Sequence, residues 1–250
     1  MCLLTFFPEG VMPDTDALLN GTVFNDDGHG FAIVDRVGGR IIVDRGMDAK
    51  DMIRTFVLQR RHYPEGPALF HSRLATDGGI NLLNTHPFTI GGDTRTVLAH
   101  NGIMPVRPAK GDPRSDTRIV AEDFIPRAFG TLRRRRARLA FQRWLTPANK
   151  VVILTVDPRF RDNAFVLNEH AGTWEDGVWY SNDAYLGWYP STTAYRWDAG
   201  AGSLVPTYMG KASDTYLTCW VCKGDVSVSL GECPFCGLCF DCGEMPMECT

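Results

Sequence analysis

Apolar residues follow two rhythms along this chain. Residues 2–7, Cys-Leu-Leu-Thr-Phe-Phe, form a short continuous apolar run of the kind that makes a buried strand. Similar runs at 31–35 and 40–44 flank Gly38-Gly39, a pairing that predicts a hairpin. At 48–62 the spacing becomes helical, with Met52, Ile53, Phe56 and Val57 on one face. Strands are expected again near 67–72 and 95–100, helices over 116–128 and 131–145, a second hairpin from 150–156 and 163–168, and a strand at 177–181. Strands and helices come in blocks, with little strict β-α-β alternation. That order predicts an α+β protein of packed sheets covered by helices. No internal repeat is visible.

Composition narrows the class. A chain of 250 residues has room for one large domain, with a substantial core, and a small one. The net charge of −3 gives no bulk attraction to nucleic acid. No apolar run approaches the ~20 residues of a membrane span. The apolar start lacks a basic flank and does not read as a signal peptide, so a cytoplasmic location is expected.

The first chemical signal is Cys2, directly behind the initiator methionine. Methionine is expected to be trimmed before so small a residue. Cys2 would then carry a thiol and a free α-amine, whose pKa near ~8 suits a base at neutral pH. One residue would supply nucleophile and base. Further chemistry gathers mid-chain. Residues 69–78 read Leu-Phe-His-Ser-Arg-Leu-Ala-Thr-Asp-Gly, followed by Asn84-Thr85-His86-Pro87, His100-Asn101-Gly102 and Ser115-Asp116-Thr117. Arg73 offers parallel donors for a substrate carboxylate. Asp116 offers an anion for an ammonium, or else a favourable charge at a helix start that Ser115 would cap. The Asn101 side chain and the Gly102 N–H offer oxyanion donors.

Together these segments resemble the glutaminase domain of class II glutamine amidotransferases, which are N-terminal nucleophile hydrolases. The resemblance rests on Cys2, on His71-x-Arg73-x-Ala75-Thr76-x-Gly78, Asn84-x-His86-Pro87, His100-Asn101-Gly102 and Ser115-Asp116-Thr117, in that order. The turn Asn25-Asp26-Asp27-Gly28-His29-Gly30-Phe31 also looks like the family's early glycine-rich turn. It covers roughly residues 2 to 190. It implies a four-layer αββα sandwich and hydrolysis of L-glutamine to glutamate and ammonia. Cys2 would be the nucleophile, Asn101 and Gly102 the oxyanion hole, Arg73 and Asp116 the clamps, and Thr76 a further substrate contact. His86 would support the pocket. The chain departs from the family where Leu3-Leu4 follows the cysteine and Leu74 follows the arginine.

One charge run, Arg133-Arg134-Arg135-Arg136-Ala137-Arg138, admits nucleic acid as a partner. A solvated helix face, with Leu132, Leu139, Ala140 and Trp144 turned inward, is the favoured reading. The composition changes near 195, and 196–214 reads as a linker after a glutaminase domain at 2–195. Seven of the eight cysteines follow between 219 and 249. Cys219-x2-Cys222 and Cys233-x2-Cys236 have zinc-ribbon spacing, which predicts a structural Zn2+ in a small module at 215–250. Cys239 and Cys242 are alternative ligands, and an iron–sulfur cluster is the lesser alternative.

The expectation is therefore a glutamine amidotransferase-type glutaminase with a C-terminal zinc ribbon. It would pass ammonia to a separate synthase protein, docked through the ribbon. Two alternatives stay open. One is hydrolysis of a different amide. The other is a catalytically silent scaffold that binds protein or nucleic acid.

Overall fold

The computed structural model describes residues 2–76 and 78–187, together with the backbone of short strands at 194–198, 203–207, 216–218 and 225–227. The chain divides into two compact units, Met1–Gly187 and Trp188–Thr250. In the second unit, Ala194–Asp198 pairs antiparallel with Ser203–Thr207, and Tyr216–Thr218 with Asp225–Ser227.

The first unit is a mixed α+β structure with antiparallel sheets. Its elements are β1 (Leu3–Phe7), α1 (Thr15–Thr22), β2 (His29–Asp35), β3 (Arg40–Gly46), α2 (Ala49–His62), β4 (Ala68–Ser72), β5 (Phe88–Ile90) and β6 (Asp93–Asn101). After these come α3 (Asp116–Ile119), α4 (Ile125–Ala128), α5 (Arg135–Trp144), β7 (Lys150–Thr155), β8 (Ala164–Leu167), β9 (Thr173–Glu175) and β10 (Val178–Tyr180). One sheet has the order β3-β2-β4-β1-β10-β9, the other β5-β6-β7-β8.

Strand alternation decides how the sheets meet. Leu4, Phe6, Ala32, Val34, Leu69 and Trp179 of the six-stranded sheet form one core with Val97, Ala99, Val152 and Leu154 of the four-stranded sheet. Successive side chains point to opposite faces, so the residues between them face outward. On the six-stranded sheet, Phe7, Phe31 and Phe70 close around Phe56 of α2, each ring 5.2–5.3 Å from it. Gly21 of α1 lies flat against Leu3, where any side chain would collide. On the four-stranded sheet, Leu98, Val151, Ile153 and Leu167 pack against Val120, Ala121, Ile125, Leu132 and Phe141. The layers run helix, sheet, sheet, helix. This matches the layering expected from the sequence.

The predicted hairpins form, with Asp35 opposite Arg40 and Val152 opposite Val166. Arg60 of α2, completely buried, donates to the carbonyls of Pro8, Val11, Tyr63 and Gly66 and ties two loops to the helix. Three of the labelled elements of the first unit escaped the sequence reading, α1, β5 and β9, as did the four short strands of the second unit. The stretch read as one helix over 116–128 is α3 and α4 joined by a π-helical turn at Val120–Phe124.

The arginine-rich helix corrects one expectation. Leu139 and Ala140 are exposed, and the inward side chains of α5 are Phe141 with Ala137 and Trp144 beside it. The Arg138 guanidinium lies 3.8 Å over the Phe165 ring and donates to the carbonyls of Leu132 and Arg133. Arg133, Arg134, Arg135 and Arg136 are exposed.

Candidate active site

The alternation that builds the core also assembles a polar cluster at one end of it. Leu4 and Phe6 face the inter-sheet layer, so Cys2 continues that face beyond the start of β1. Leu69 does the same for His71 and Arg73, Ala99 for Asn101, and Trp179 for Ser181. The register brings these strand ends together. Leu3 pairs with Ser72, and the Ser181 N–H donates to the Leu4 carbonyl at 2.9 Å.

Cys2 is partly buried. Its Sγ accepts from the Leu74 N–H at 3.2 Å and lies 3.4 Å from the Leu74 carbonyl. The Asn182 amide donates to the Cys2 carbonyl at 2.8 Å. Burial pushes the Cys2 thiol above its ordinary pKa; the Leu74 peptide and the Arg73 charge pull the other way.

Arg73 is buried, and its guanidinium donates to the Gly79 carbonyl at 3.2 Å. Desolvation lowers its pKa, while the charges of Cys2, Asp27 and Asp116 raise it. Its backbone is gripped by the turn at 26–28. The Arg73 N–H donates to the Gly28 carbonyl and the Asp27 N–H to the Arg73 carbonyl, each at 2.9 Å. The Asp27 carboxylate accepts from the Ala75 N–H at 2.7 Å. Thr76 is exposed in the loop that follows.

Asn84 ties the connection between β4 and β5 to the loop before α3. Its amide donates to Gly79 and Pro113 carbonyls at 3.2 and 2.9 Å, and its Oδ1 accepts from the Ser115 N–H at 2.9 Å. Ser115 caps α3, accepting from the Arg118 N–H at 3.3 Å. Asp116 then stands at the first helical position, buried. Its carboxylate accepts from the Met104 N–H at 2.7 Å and from the Thr117 N–H and hydroxyl. It therefore pins the loop that follows Asn101-Gly102. A carboxylate has about four acceptor sites, so capacity for a ligand remains.

Asn101 is 1 % exposed, and its side-chain amide meets Ser181 Oγ at 2.8 Å. Gly102 has φ +143°, and a Cβ there would collide with Asn149 Oδ1. Asn149 also accepts from His100 Nε2 at 2.7 Å, while His100 Nδ1 meets the Thr117 hydroxyl at 2.8 Å. His71 Nε2 donates to the His100 carbonyl at 3.0 Å, and burial drives the His71 pKa down to about 3. His86 is buried too, its ring centroid 4.0 Å from that of His71, and neither of its ring nitrogens has a partner among the described residues. Burial likewise lowers the His86 and His100 pKa values. At neutral pH these three rings are neutral; His71 and His100 hydrogen-bond, and His86 packs against His71.

The structure thus brings Cys2, Arg73, Asn101, Gly102 and Asp116 to one end of the sandwich, places His86 in the buried layer beneath, and leaves Thr76 on the exposed loop. Sequence reasoning missed Asp27, Asn149, Ser181 and Asn182. Asp27 lay within a turn already singled out. Ser181 ended a predicted strand, two residues beyond an apolar Trp179. Asn149 and Asn182 carried no signal, being ordinary turn residues until the fold sets them against Gly102 and Cys2. Cys219, Cys222, Cys233, Cys236, Cys239 and Cys242 lie outside the described residues, as does Met1. Among the described residues no helix is long and apolar enough to cross a membrane.

No protein-family model matches the chain, and no curated protein matches it. Solved structures do. Glutamine phosphoribosylpyrophosphate (PRPP) amidotransferase from B. subtilis, complexed with ADP and GMP, is similar with a TM-score of 0.43 and 16% identity, over 72% of this chain and 41% of that one. A structure described as the allosteric regulatory enzyme of purine biosynthesis is similar with a TM-score of 0.42 and 17% identity, over 72% and 41%. The chain spans about two fifths of the length of these structures. At such scores the likeness bears on neither activity nor substrate, and the site stands on its own geometry.

Proposed function

We propose that the chain is a glutaminase of the class II amidotransferase type, with Cys2 as its nucleophile. One observation carries this reading: the Cys2 thiol lies against the peptide that follows Arg73, at the end of the sandwich where Asn101 and Asp116 also gather. A thiol, a planar cation and a carboxylate converge there, as an amino-acid amide requires.

The chemistry follows from these groups. Burial holds the Cys2 thiol in its protonated form, so attack needs a base. With Met1 removed, the α-amine of Cys2 is that base, and it sits on the same residue. The thiolate attacks the side-chain carbonyl carbon of glutamine. Asn101 and the Gly102 N–H stabilise the oxyanion. The protonated amine gives its proton to the departing nitrogen, ammonia leaves, and a γ-glutamyl thioester remains. Water, deprotonated by the same amine, hydrolyses the thioester to glutamate and restores the thiol. Arg73 holds the α-carboxylate, and Asp116 the α-ammonium. Thr76 lies on the loop that would cover the bound substrate.

The reading extends to an ammonia acceptor on a separate synthase protein, and to a structural Zn2+ held by Cys219, Cys222, Cys233 and Cys236, with Cys239 and Cys242 as alternates. Four thiolates at ~2.3 Å would staple a segment too short to bury its own core. Metal analysis of the purified protein, before and after Cys→Ser changes at these positions, tests the zinc.

The decisive experiment measures glutamate released from L-glutamine by protein whose intact mass shows Met1 removed, beside Cys2→Ala. Release by the wild type alone is expected. Hydrolysis of another amide in preference to glutamine, or release that survives Cys2→Ala, would overturn the proposal.

A further inference from the structure

Ser181 is completely buried, and its hydroxyl has two neighbours among the described residues. The Leu4 N–H donates to Oγ at 2.9 Å, and the Asn101 side-chain amide lies 2.8 Å away. With the Asn101 NH2 facing Ser181, the hydroxyl accepts twice and its own proton has no acceptor among the described residues. Asn101 Oδ1 is then buried with no partner either. The two ends of an amide differ by a half-turn that heavy-atom positions do not distinguish, so the hydrogen-bond network must choose. Turning the amide over satisfies both groups together. The Ser181 hydroxyl still accepts from Leu4 and now donates to Asn101 Oδ1.

The turned amide leaves its NH2 buried without a protein acceptor. A buried donor in that state costs about 1–3 kcal/mol unless something supplies an oxygen. Its place in the fold says which oxygen. Asn101 and Ser181 share the inter-sheet face with Leu4, and Leu4 is two residues along β1 from the Cys2 thiol.

We propose that Ser181 is a positioning residue that reads the orientation of Asn101, fixing its NH2 toward the carbonyl oxygen of the amide attacked by Cys2. The same hydroxyl also accepts from the Leu4 N–H, which leaves its proton for Asn101 Oδ1. The kinetic part of this inference rests on the glutaminase reading; the orientation does not.

Two measurements separate them. A neutron structure of the deuterium-exchanged protein should show deuterium on Ser181 Oγ directed at Asn101 Oδ1. An Asn101 ND2 group directed at Ser181 would overturn the proposal, whatever the enzyme acts on. In turnover, Ser181→Ala should lower kcat for glutamine about 10- to 100-fold with KM changed little, since an oxyanion donor is worth about 100- to 1,000-fold. The double variant with Asn101→Ala should be no slower than Asn101→Ala alone. Alkylation of Cys2 by iodoacetamide, which passes through no oxyanion, should keep its wild-type rate in Ser181→Ala. Equal losses in alkylation and turnover, or additive effects in the double variant, would show that Ser181 only supports β1. Ser181→Cys, closer in size, serves if the alanine variant unfolds. A wild type inactive on glutamine yet showing the expected deuterium would sink the glutaminase reading and leave the orientation standing.

Discussion

The Leu74 N–H donates to the Cys2 Sγ at 3.2 Å, so the residue after Arg73 in the chain holds the thiol in place. The Leu74 carbonyl, 3.4 Å away, accepts a hydrogen bond from the thiol when the sulfur is protonated. The backbone of one residue, Leu74, therefore contacts the sulfur in both protonation states. Cys2→Ala removes the nucleophile without disturbing the core, because the side chain is only partly buried. Glutamate release should fall to background while the melting temperature stays close to that of the wild type. Protein that keeps Met1, identified by intact mass, should be equally silent, since its Cys2 nitrogen is an amide and no base.

Arg73 tests substrate recognition. Its fork matches a carboxylate with two parallel bonds, which the ammonium of lysine does not reproduce. Arg73→Lys should raise KM for glutamine by about tenfold or more with a smaller change in kcat, the signature of lost ground-state binding. Steady-state kinetics decide it, and a fall in kcat at constant KM would contradict the assigned role.

Gly102 is strained for any other residue. Its φ of +143° disfavours a side chain, and Asn149 Oδ1 occupies the space a Cβ would need. Gly102→Ala should destabilise the protein by about 1–3 kcal/mol, read by urea denaturation. It should also lower kcat, since the oxyanion donor N–H moves with the backbone.

Acid should unfold the protein through its buried histidines. His71 titrates near 3 in the fold against about 6.5 when unfolded, and His86 and His100 shift the same way. The unfolded chain then binds more protons than the folded one, so stability rises with pH. The contribution is complete above about pH 6.5 and is lost as pH falls from there toward 3. For His71 the cost is about 1.4 kcal/mol per pH unit over that window, and His86 and His100 add to it in the same direction. Melting temperatures from pH 7 down to 4 check the slope, and His71→Gln should flatten it.

Much of this protein is legible in its residue order. The apolar runs placed β1, β2, β4, β6, β7 and β10, because a buried strand needs little beyond a short apolar stretch between turn residues, and the two hairpin patterns placed β3 and β8, which are largely unburied. The helix α1 stayed hidden, since Thr15–Thr22 has only Ala17, Leu18 and Gly21 buried and follows a proline-rich approach. The strand β9 is exposed along its length and has no apolar signature. Leu139 and Ala140 misled, because helical spacing alone does not say which face of an arginine-rich helix meets the sheet. There the Arg138 guanidinium covers Phe165, and Phe141 packs into the core.

Sequence by itself determined the chemistry on offer: a cysteine at position 2, a cation at Arg73 after an apolar run, the Asn101-Gly102 turn and Asp116 behind the cap Ser115. Those are properties of residue type and near neighbours, which local order carries. Only the tertiary structure decided which groups meet. The inter-sheet face gathers Cys2, Arg73, Asn101 and Ser181 because strand alternation fixes side-chain direction and antiparallel register fixes which strand ends coincide. Asn149 behind Gly102, and Asn182 against the Cys2 carbonyl, are separated from their partners by 47 and 180 positions of chain. No local pattern encodes such contacts, since they exist only once β6 has paired with β7 and β1 with β10, strands far apart in the chain.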